Sequence, residues 1–411
     1  MIIKNIKSLV QVRDNAFDWI SGREMSVLPR IHDCYIQFDG DKISSFGIMD
    51  EIPPLGQEEV IDATDCLVLP TFVDSHSHII FAETRESEFV DKIKGTSYAE
   101  IAAKGGGILN SAKKLRGRSE EELFSRAMMR VDEVIGFGTG CLEIKSGYGL
   151  TTEDELKMLR VARRIGLESE LTVKTTFLGA HAIPTEFKNR EDYIKLVIDE
   201  MIPSVAEEGL ADYIDVFCEE GFFSPEETER IVVAGKKVGL VPKIHANQLH
   251  ISGGIEVGVK TGARSVDHLE SMGTEQIEVL KNSSTMPTLL PGSAFFLNNS
   301  YPPARQIIDA GLPVALATDY NPGSAPAGKM SFMLSLACIK MKMTPEEALN
   351  AATINGAYAM DVLESHGSIA KGKRASVIIT KPIPAIDFIP YSFTGDFIST
   401  VILNGKIVFE A

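Results

Sequence analysis

The sequence predicts an α/β protein: a (β/α)₈ TIM barrel with a small β-sandwich domain built from both chain termini. Three observations predict it. Both ends of the chain are rich in short strand-like runs. The middle alternates apolar strands with amphipathic helical stretches, the pattern of βα units and a parallel sheet. Chemically active side chains follow the ends of those middle strands. The length of 411 residues exceeds a typical single domain. A barrel of roughly 250 residues plus an accessory domain fills it.

Residues 35–43 read as two strands joined by an Asp-Gly turn. Residues 375–379 and 400–408 read as strands, the latter folded at Asn404-Gly405. The simplest arrangement joins residues 1–67 and 365–411 into one composite β domain and inserts the barrel, residues 68–364, between them. Eight strands are expected in that insertion, at 68–74, 139–145, 171–178, 213–218, 241–245, 263–267, 285–290 and 313–318. Helices are expected between them at 120–135, 152–165, 190–208, 224–238 and 274–281. Ser224 followed by Pro225 suits a helix start, with the serine as cap. The connection after the first strand, 81–115, is long enough to be a lid or binding loop.

Composition excludes several function classes. Forty-one basic against 57 acidic residues give a net charge of −16, which opposes a nucleic-acid surface. Cys34, Cys66, Cys141, Cys218 and Cys338 are dispersed and odd in number, unlike a disulfide framework or a Cys-rich zinc site. No signal-peptide pattern opens the chain, and no apolar run approaches the ~18 residues of a membrane span. A cytoplasmic enzyme with a small-molecule substrate, and no nucleic-acid or membrane partner, is expected.

The chemistry begins at Asp74-Ser75-His76-Ser77-His78. Two histidines two residues apart, at the end of an apolar run, project from one face of a strand. Both imidazoles then reach one metal ion. A lone histidine at a strand end is usually a hydrogen-bonded structural group; this spacing reverses that expectation. Later strand ends supply Glu143, Lys145 and Tyr148, then His181, His245, His268 and Asp319. Strand C-termini form the active rim of such a barrel. His245 and Asp319 would be ambiguous alone. Joined to the first pair they complete a nitrogen and oxygen set suited to Zn²⁺ or Fe²⁺.

A single divalent ion is expected, because the fourth strand has no lysine to supply a bridging ligand for a second. The implied class is metal-assisted hydrolysis at a carbonyl or amidine carbon. Asp319 both binds the ion and takes the proton of water, and His268 orients hydroxide or stabilises an oxyanion. Arg85 reads either as a solvated loop cation or as a clamp for a substrate carboxylate, which arginine grips bidentately.

The chain resembles the imidazolonepropionases of the amidohydrolase superfamily over nearly its whole length. The matching motifs are residues 70–78, 95–101 with 105–108, Lys145-Ser146-Gly147-Tyr148-Gly149-Leu150, residues 176–182, 215–221, Asp267-His268-Leu269 and residues 318–324. The His-x-His signal alone is superfamily-wide; the Lys-Ser-Gly-Tyr-Gly-Leu, Phe-Leu-Gly-Ala-His and Asn-Pro-Gly-Ser segments are specific. The resemblance implies hydrolysis of 4-imidazolone-5-propanoate to N-formimidoyl-L-glutamate, with His76, His78, His245 and Asp319 as metal ligands. It implies substrate contacts from Arg85, Tyr98, Tyr148, His181, Asn321, Gly323 and Ser324, with His268 beside the attacking water. It also implies a homodimer. Gln248 stands where some relatives carry glutamate. An amide does not titrate usefully, so Gln248 is expected to orient the ring rather than move a proton. The rival readings are a deaminase or a dihydroorotase-like cyclic amidase, and a barrel that has lost catalysis and serves as a binding or scaffold protein. Against the last, all four ligands are in place.

Overall fold

A computed structural model describes residues 1–13, 18–96, 100 and 106–411. The terminal strands are β1 (Ile2–Val10), β2 (Arg30–Asp39), β3 (Lys42–Ile48), β4 (Val60–Asp62) and β5 (Leu67–Pro70). The barrel strands are β6 (Phe72–Asp74), β7 (Thr139–Lys145), β8 (Thr172–Ala180), β9 (Tyr213–Cys218), β10 (Val241–Ala246), β11 (Ser265–His268), β12 (Met286–Leu289) and β13 (Ala315–Leu316). The chain returns to the terminal sheet through β14 (Val377–Thr380), β15 (Ile398–Leu403) and β16 (Lys406–Glu410).

The sandwich predicted for the termini is one eight-stranded mixed sheet, ordered β16-β15-β14-β5-β1-β2-β3 with β4 beside β1. It folds around its own core, where Ile3, Ile36, Phe38, Val68, Val377 and Ile402 meet. The first expected strand, 68–74, divides in two. Leu67–Pro70 pairs with β1 and β14 in the terminal sheet, and Phe72–Asp74 pairs with β7 in the barrel. Continuous hydrophobicity conceals this change, because the run is buried on both sides of it.

Strands β6 to β13 follow one another in order as a parallel sheet. Closure comes from the loop ends: His78 N–H donates to Tyr320 O at 2.9 Å and Asp319 N–H to His76 O at 3.0 Å. Beneath this seam the Asp74 carboxylate accepts the Thr318 backbone N–H at 3.0 Å and its hydroxyl at 2.6 Å. Burial pushes the Asp74 carboxyl up to about 7.

The helices follow their sequence signals. Ser119 and Ser224 close capping boxes on helices Glu120–Gly136 and Pro225–Lys237. The helix expected over 190–208 is interrupted: Arg190–Leu196 passes through a π turn, Val197–Met201, into Ile202–Glu207. Pro203 lacks the N–H an α-helix needs there, and the wider turn absorbs the lost bond.

Candidate active site

His76 and His78 lie just past β6, and Ser77 between them bridges Tyr320 in parallel fashion. That bridge keeps the segment extended, so both rings stay on one side. His78 Nε2 lies 3.3 Å from His76 Nε2 and 3.3 Å from His245 Nε2. Asp319 Oδ1 lies 3.7 Å from His76 Nε2 and 3.6 Å from His78 Nε2. Donor atoms of His76, His78 and Asp319 lie within 4.8 Å of one another, as do those of His76, His245 and His268, all from buried residues.

The back of each ring decides what the front presents. His76 Nδ1 is 2.6 Å from Asp267 Oδ2, and His245 Nδ1 is 2.8 Å from Asp215 Oδ2. A carboxylate at Nδ1 holds the proton there and turns the Nε2 lone pair forward. His76 and His245 therefore both aim lone pairs at His78, whose Nε2 has one proton at most. Separations near 3.3 Å between such nitrogens match the edge of a tetrahedron whose centre is ~2.0–2.1 Å from each. The donors fit a metal ion.

Charge points the same way. Inside the barrel Lys145 Nζ contacts Glu143 Oε1 at 2.5 Å and Asp215 Oδ2 at 2.9 Å, with Asp267 Oδ2 at 3.8 Å. Lys243 pairs with the other oxygen of Glu143 and donates to Ser75 O at 3.0 Å. Two ammonium groups against Glu143, Asp215 and Asp267 leave negative charge in excess, and the buried carboxylates of Asp319 and Glu270 add to it. A divalent cation is the charge that balances them. Burial pushes Asp319 and Asp267 up to about 6. His245 is pushed down to about 4, chiefly by burial. Asp215 stays well below the ordinary carboxylate range despite its burial, because His245 and Lys145 hold it ionised.

A cavity of about 470 Å³ opens above the donors, in the range of small-molecule sites. His78, His245, His268 and Asp319 line its floor. His181 stacks on His78 with ring centroids 5.2 Å apart, and its Nδ1 meets Gly147 O at 3.0 Å. Donation to that carbonyl leaves His181 Nε2 as an acceptor. Burial first, and His245 second, push His181 down to about 3. His268 is raised from its usual value, since Glu270, 3.5 Å from its Nδ1, together with Asp319 outweighs the desolvation that lowers it. His268 (φ 88°), Asn247 (54°) and Asp319 (56°) all hold left-handed backbone, the strain that clusters where side chains must be aimed.

The loop carrying Tyr148 is wrapped around one carboxylate. Glu155, fully buried, accepts N–H groups from Gly147 at 3.0 Å and from Gly149 and Leu150 at 2.8 Å. A Cβ on Gly149 would lie 2.4 Å from the Glu155 backbone nitrogen, which accounts for that glycine.

The turn after β13 is organised by Asn321. Its Oδ1 accepts from Gly323 N–H and Ser324 N–H at 2.8 Å, and its Nδ2 donates to Asp319 O at 2.6 Å and Ser324 Oγ at 2.8 Å. That uses its hydrogen-bonding capacity within the turn. Gly323 lies against Arg85, which is 7% exposed and whose Nε and Nη1 have no hydrogen-bond partner among the described residues. Gln248 borders the cavity and donates to Ser293 Oγ at 3.2 Å. Tyr98 lies outside the described residues.

A model of the Amidohydrolase family matches residues 223–408. The imidazolonepropionase of Christiangramia forsetii is 56% identical over 99% of this chain and 100% of its own length. That of Flavobacterium psychrophilum is 55% identical over 99% of both chains. The chain belongs to the imidazolonepropionase family. Among solved structures, a 5-methylcytosine deaminase from Klebsiella pneumoniae superposes with a TM-score of 0.76 over 100% of this chain and 98% of its own, at 16% identity. At that identity the likeness is one of fold.

Within this imidazolonepropionase-family chain, the sequence reading named the donors but missed their supports. Asp215, Asp267 and Lys243 are inward-facing strand residues, and Glu155 resembles an ordinary acidic first turn of a helix. Glu270 follows His268 by two residues, and that spacing was the available signal.

Proposed function

We propose that this chain hydrolyses 4-imidazolone-5-propanoate to N-formimidoyl-L-glutamate in histidine degradation. The observation that carries this reading is one cavity that joins the donors His78, His245 and Asp319 to the buried guanidinium of Arg85, whose Nε and Nη1 make no hydrogen bond among the described residues. Water-activating chemistry and a carboxylate anchor then share a single space.

His76, His78, His245 and Asp319 hold one divalent ion, Zn²⁺ or Fe²⁺, for which three imidazoles and a carboxylate are suited. When bound, such an ion would lower the pKa of water toward neutrality and so supply hydroxide. Arg85 grips the propionate carboxylate. His181 offers its neutral Nε2 to a ring N–H, Tyr148 packs beside it, and Gln248 orients the ring. As the water oxygen bonds to the carbonyl carbon, Asp319 accepts its proton. His268 donates to the oxyanion developing on the carbonyl oxygen. The bond between that carbon and the ring nitrogen then breaks, the electron pair leaves with nitrogen, and the proton held by Asp319 goes to it. Gly323 and Ser324 line the far side, and Asn321 sets their turn.

The same reading assigns catalysis to a barrel domain and gives the termini a composite β domain; the expected boundary at 67/68 moves to Thr71, because β5 pairs within the terminal sheet. It carries a cytoplasmic homodimer. No helix among the described residues is long and apolar enough to cross a membrane. The test offers purified protein imidazolone propionate alongside cytosine, guanine and dihydropyrimidine substrates. Turnover of the first supports the reading; turnover only of the others makes the chain a deaminase or dihydroorotase-like amidase.

A further inference from the structure

Glu219 belongs to the 215–221 segment that marks the family, and the proposed reaction makes no use of it. It follows β9 directly and opens a closed turn. Its N–H donates to Phe223 O at 3.2 Å, Phe222 N–H donates to its carbonyl at 2.9 Å, and Gly221 takes the left-handed conformation within the turn (φ 85°). The Glu219 side chain is shut off from solvent. Its carboxylate reaches the loop after β10. One oxygen accepts Leu249 N–H at 2.8 Å and His250 N–H at 3.4 Å; the other accepts Glu220 N–H at 2.9 Å and meets His250 Nδ1 at 3.2 Å.

Gln248 sits in that loop and borders the cavity, where its Nε2 donates to Ser293 Oγ at 3.2 Å. The two peptide planes that flank its Cα are each held. Before it, Ser271 N–H donates to Asn247 O at 2.8 Å; after it, Leu249 N–H donates to Glu219. Two fixed planes set φ and ψ of Gln248, and with them the direction of its Cα–Cβ bond. Ser271 Oγ ties the loop further by donating to Leu249 O at 2.9 Å, and Ser252 Oγ joins it to β9 through Cys218 O at 2.7 Å. A carboxylate suits the task, because its two oxygens accept up to four bonds.

We propose that Glu219 is a positioning residue of the active site: it holds the peptide that follows Gln248, and so keeps the Gln248 amide against the substrate ring. This rests on the reading of Gln248 as the residue that orients the ring. Glu219 is not among the residues that line the cavity. Its effect passes through a backbone N–H held by a carboxylate, a stronger bond than one between neutral groups.

The test uses the full, metal-loaded chain with imidazolone propionate, in Glu219→Ala, Glu219→Gln, Gln248→Ala and the double variant Glu219→Ala with Gln248→Ala. Glu219→Ala is expected to raise KM about 3- to 10-fold, the range of one neutral hydrogen bond to the ring, with kcat held within about threefold. In the Gln248→Ala background the same substitution should shift KM by less than about twofold, because the residue it acts through is gone. Glu219→Gln, which keeps one acceptor for Leu249 N–H, should recover most of the loss. Glu219→Asp keeps the charge and loses the reach to Leu249, so it should shift KM as alanine does, and it replaces alanine in the cycle if that variant does not fold. Without substrate, hydrogen exchange of residues 247–250 should rise at least about tenfold in Glu219→Ala. Unchanged KM in folded Glu219→Ala, an effect of equal size with and without Gln248, or unchanged exchange overturns the proposal. If the wild type does not turn over imidazolone propionate, the substrate reading fails alone, and exchange still decides whether Glu219 holds the loop.

Discussion

Replacing Gly323 with alanine isolates one contact. The Gly323 backbone lies outside the left-handed region, so alanine adopts it without strain. The added Cβ, however, would lie 1.3 Å from Arg85 Nη2 and 1.9 Å from its Cζ. The guanidinium must swing away. Because the obstructed atoms are the far end of a flexible side chain, the fold tolerates the change, and Tm should move by no more than a few degrees. Binding of the carboxylate does not tolerate it. A hydrogen bond to a charged group is worth about 1.5–3 kcal/mol, so kcat/KM for imidazolone propionate should fall about 10- to 150-fold. The loss should be carried mainly by KM and should be far smaller with the propionamide analogue. Steady-state kinetics on both substrates, with a thermal melt as control, measure this. A Gly323→Ala protein with unchanged KM for the acid would refute the placement of Arg85 as the anchor.

Other outcomes follow from the same structure. Asp319→Asn should lower kcat by about 10²–10⁴ and weaken metal retention, read by kinetics and metal analysis. Gln248→Ala should raise KM several-fold; abolished turnover at unchanged affinity would contradict an orienting role. Lys145→Met leaves Glu143 and Asp215 short of their shared cation, and should cost about 3–5 kcal/mol in urea unfolding. His366, buried between Ser365 and Thr172, is pushed by burial from 6.5 down to about 4. The unfolded chain therefore binds its proton first, so its stabilising contribution is full above pH 6.5 and is lost as pH falls toward 4. His366→Asn should flatten that acid limb by up to about 3 kcal/mol between pH 7 and pH 4.

The barrel was legible because each βα unit repeats one apolar strand and one capped amphipathic helix, and β9 and helix Glu120–Gly136 fall within a residue of expectation. The division at Thr71 was not, since hydrophobicity does not say which sheet a doubly buried strand joins. In the site, His76 and His78 announced themselves by spacing, and Asp319 by closing the last strand. Their supports did not. Asp215 and Asp267 matter through the ring nitrogens behind the donors, and Lys243 through Glu143, contacts made across about 30 to 190 residues of chain. Asn321 was expected at the substrate; it borders the cavity, and its four hydrogen bonds hold its own turn. Only the geometry distinguishes a residue that lines a site from one that shapes it.

The central claim is that four donors among an excess of buried carboxylates hold one catalytic divalent ion. Metal analysis of the purified protein, coupled to the imidazolone propionate assay before chelation, after it and after metal return, tests this most directly. One zinc or iron per chain is expected, with activity lost on its removal and restored by its return, and with His245→Ala retaining neither metal nor activity. Two ions per chain, or full activity in metal-free protein, would contradict the account.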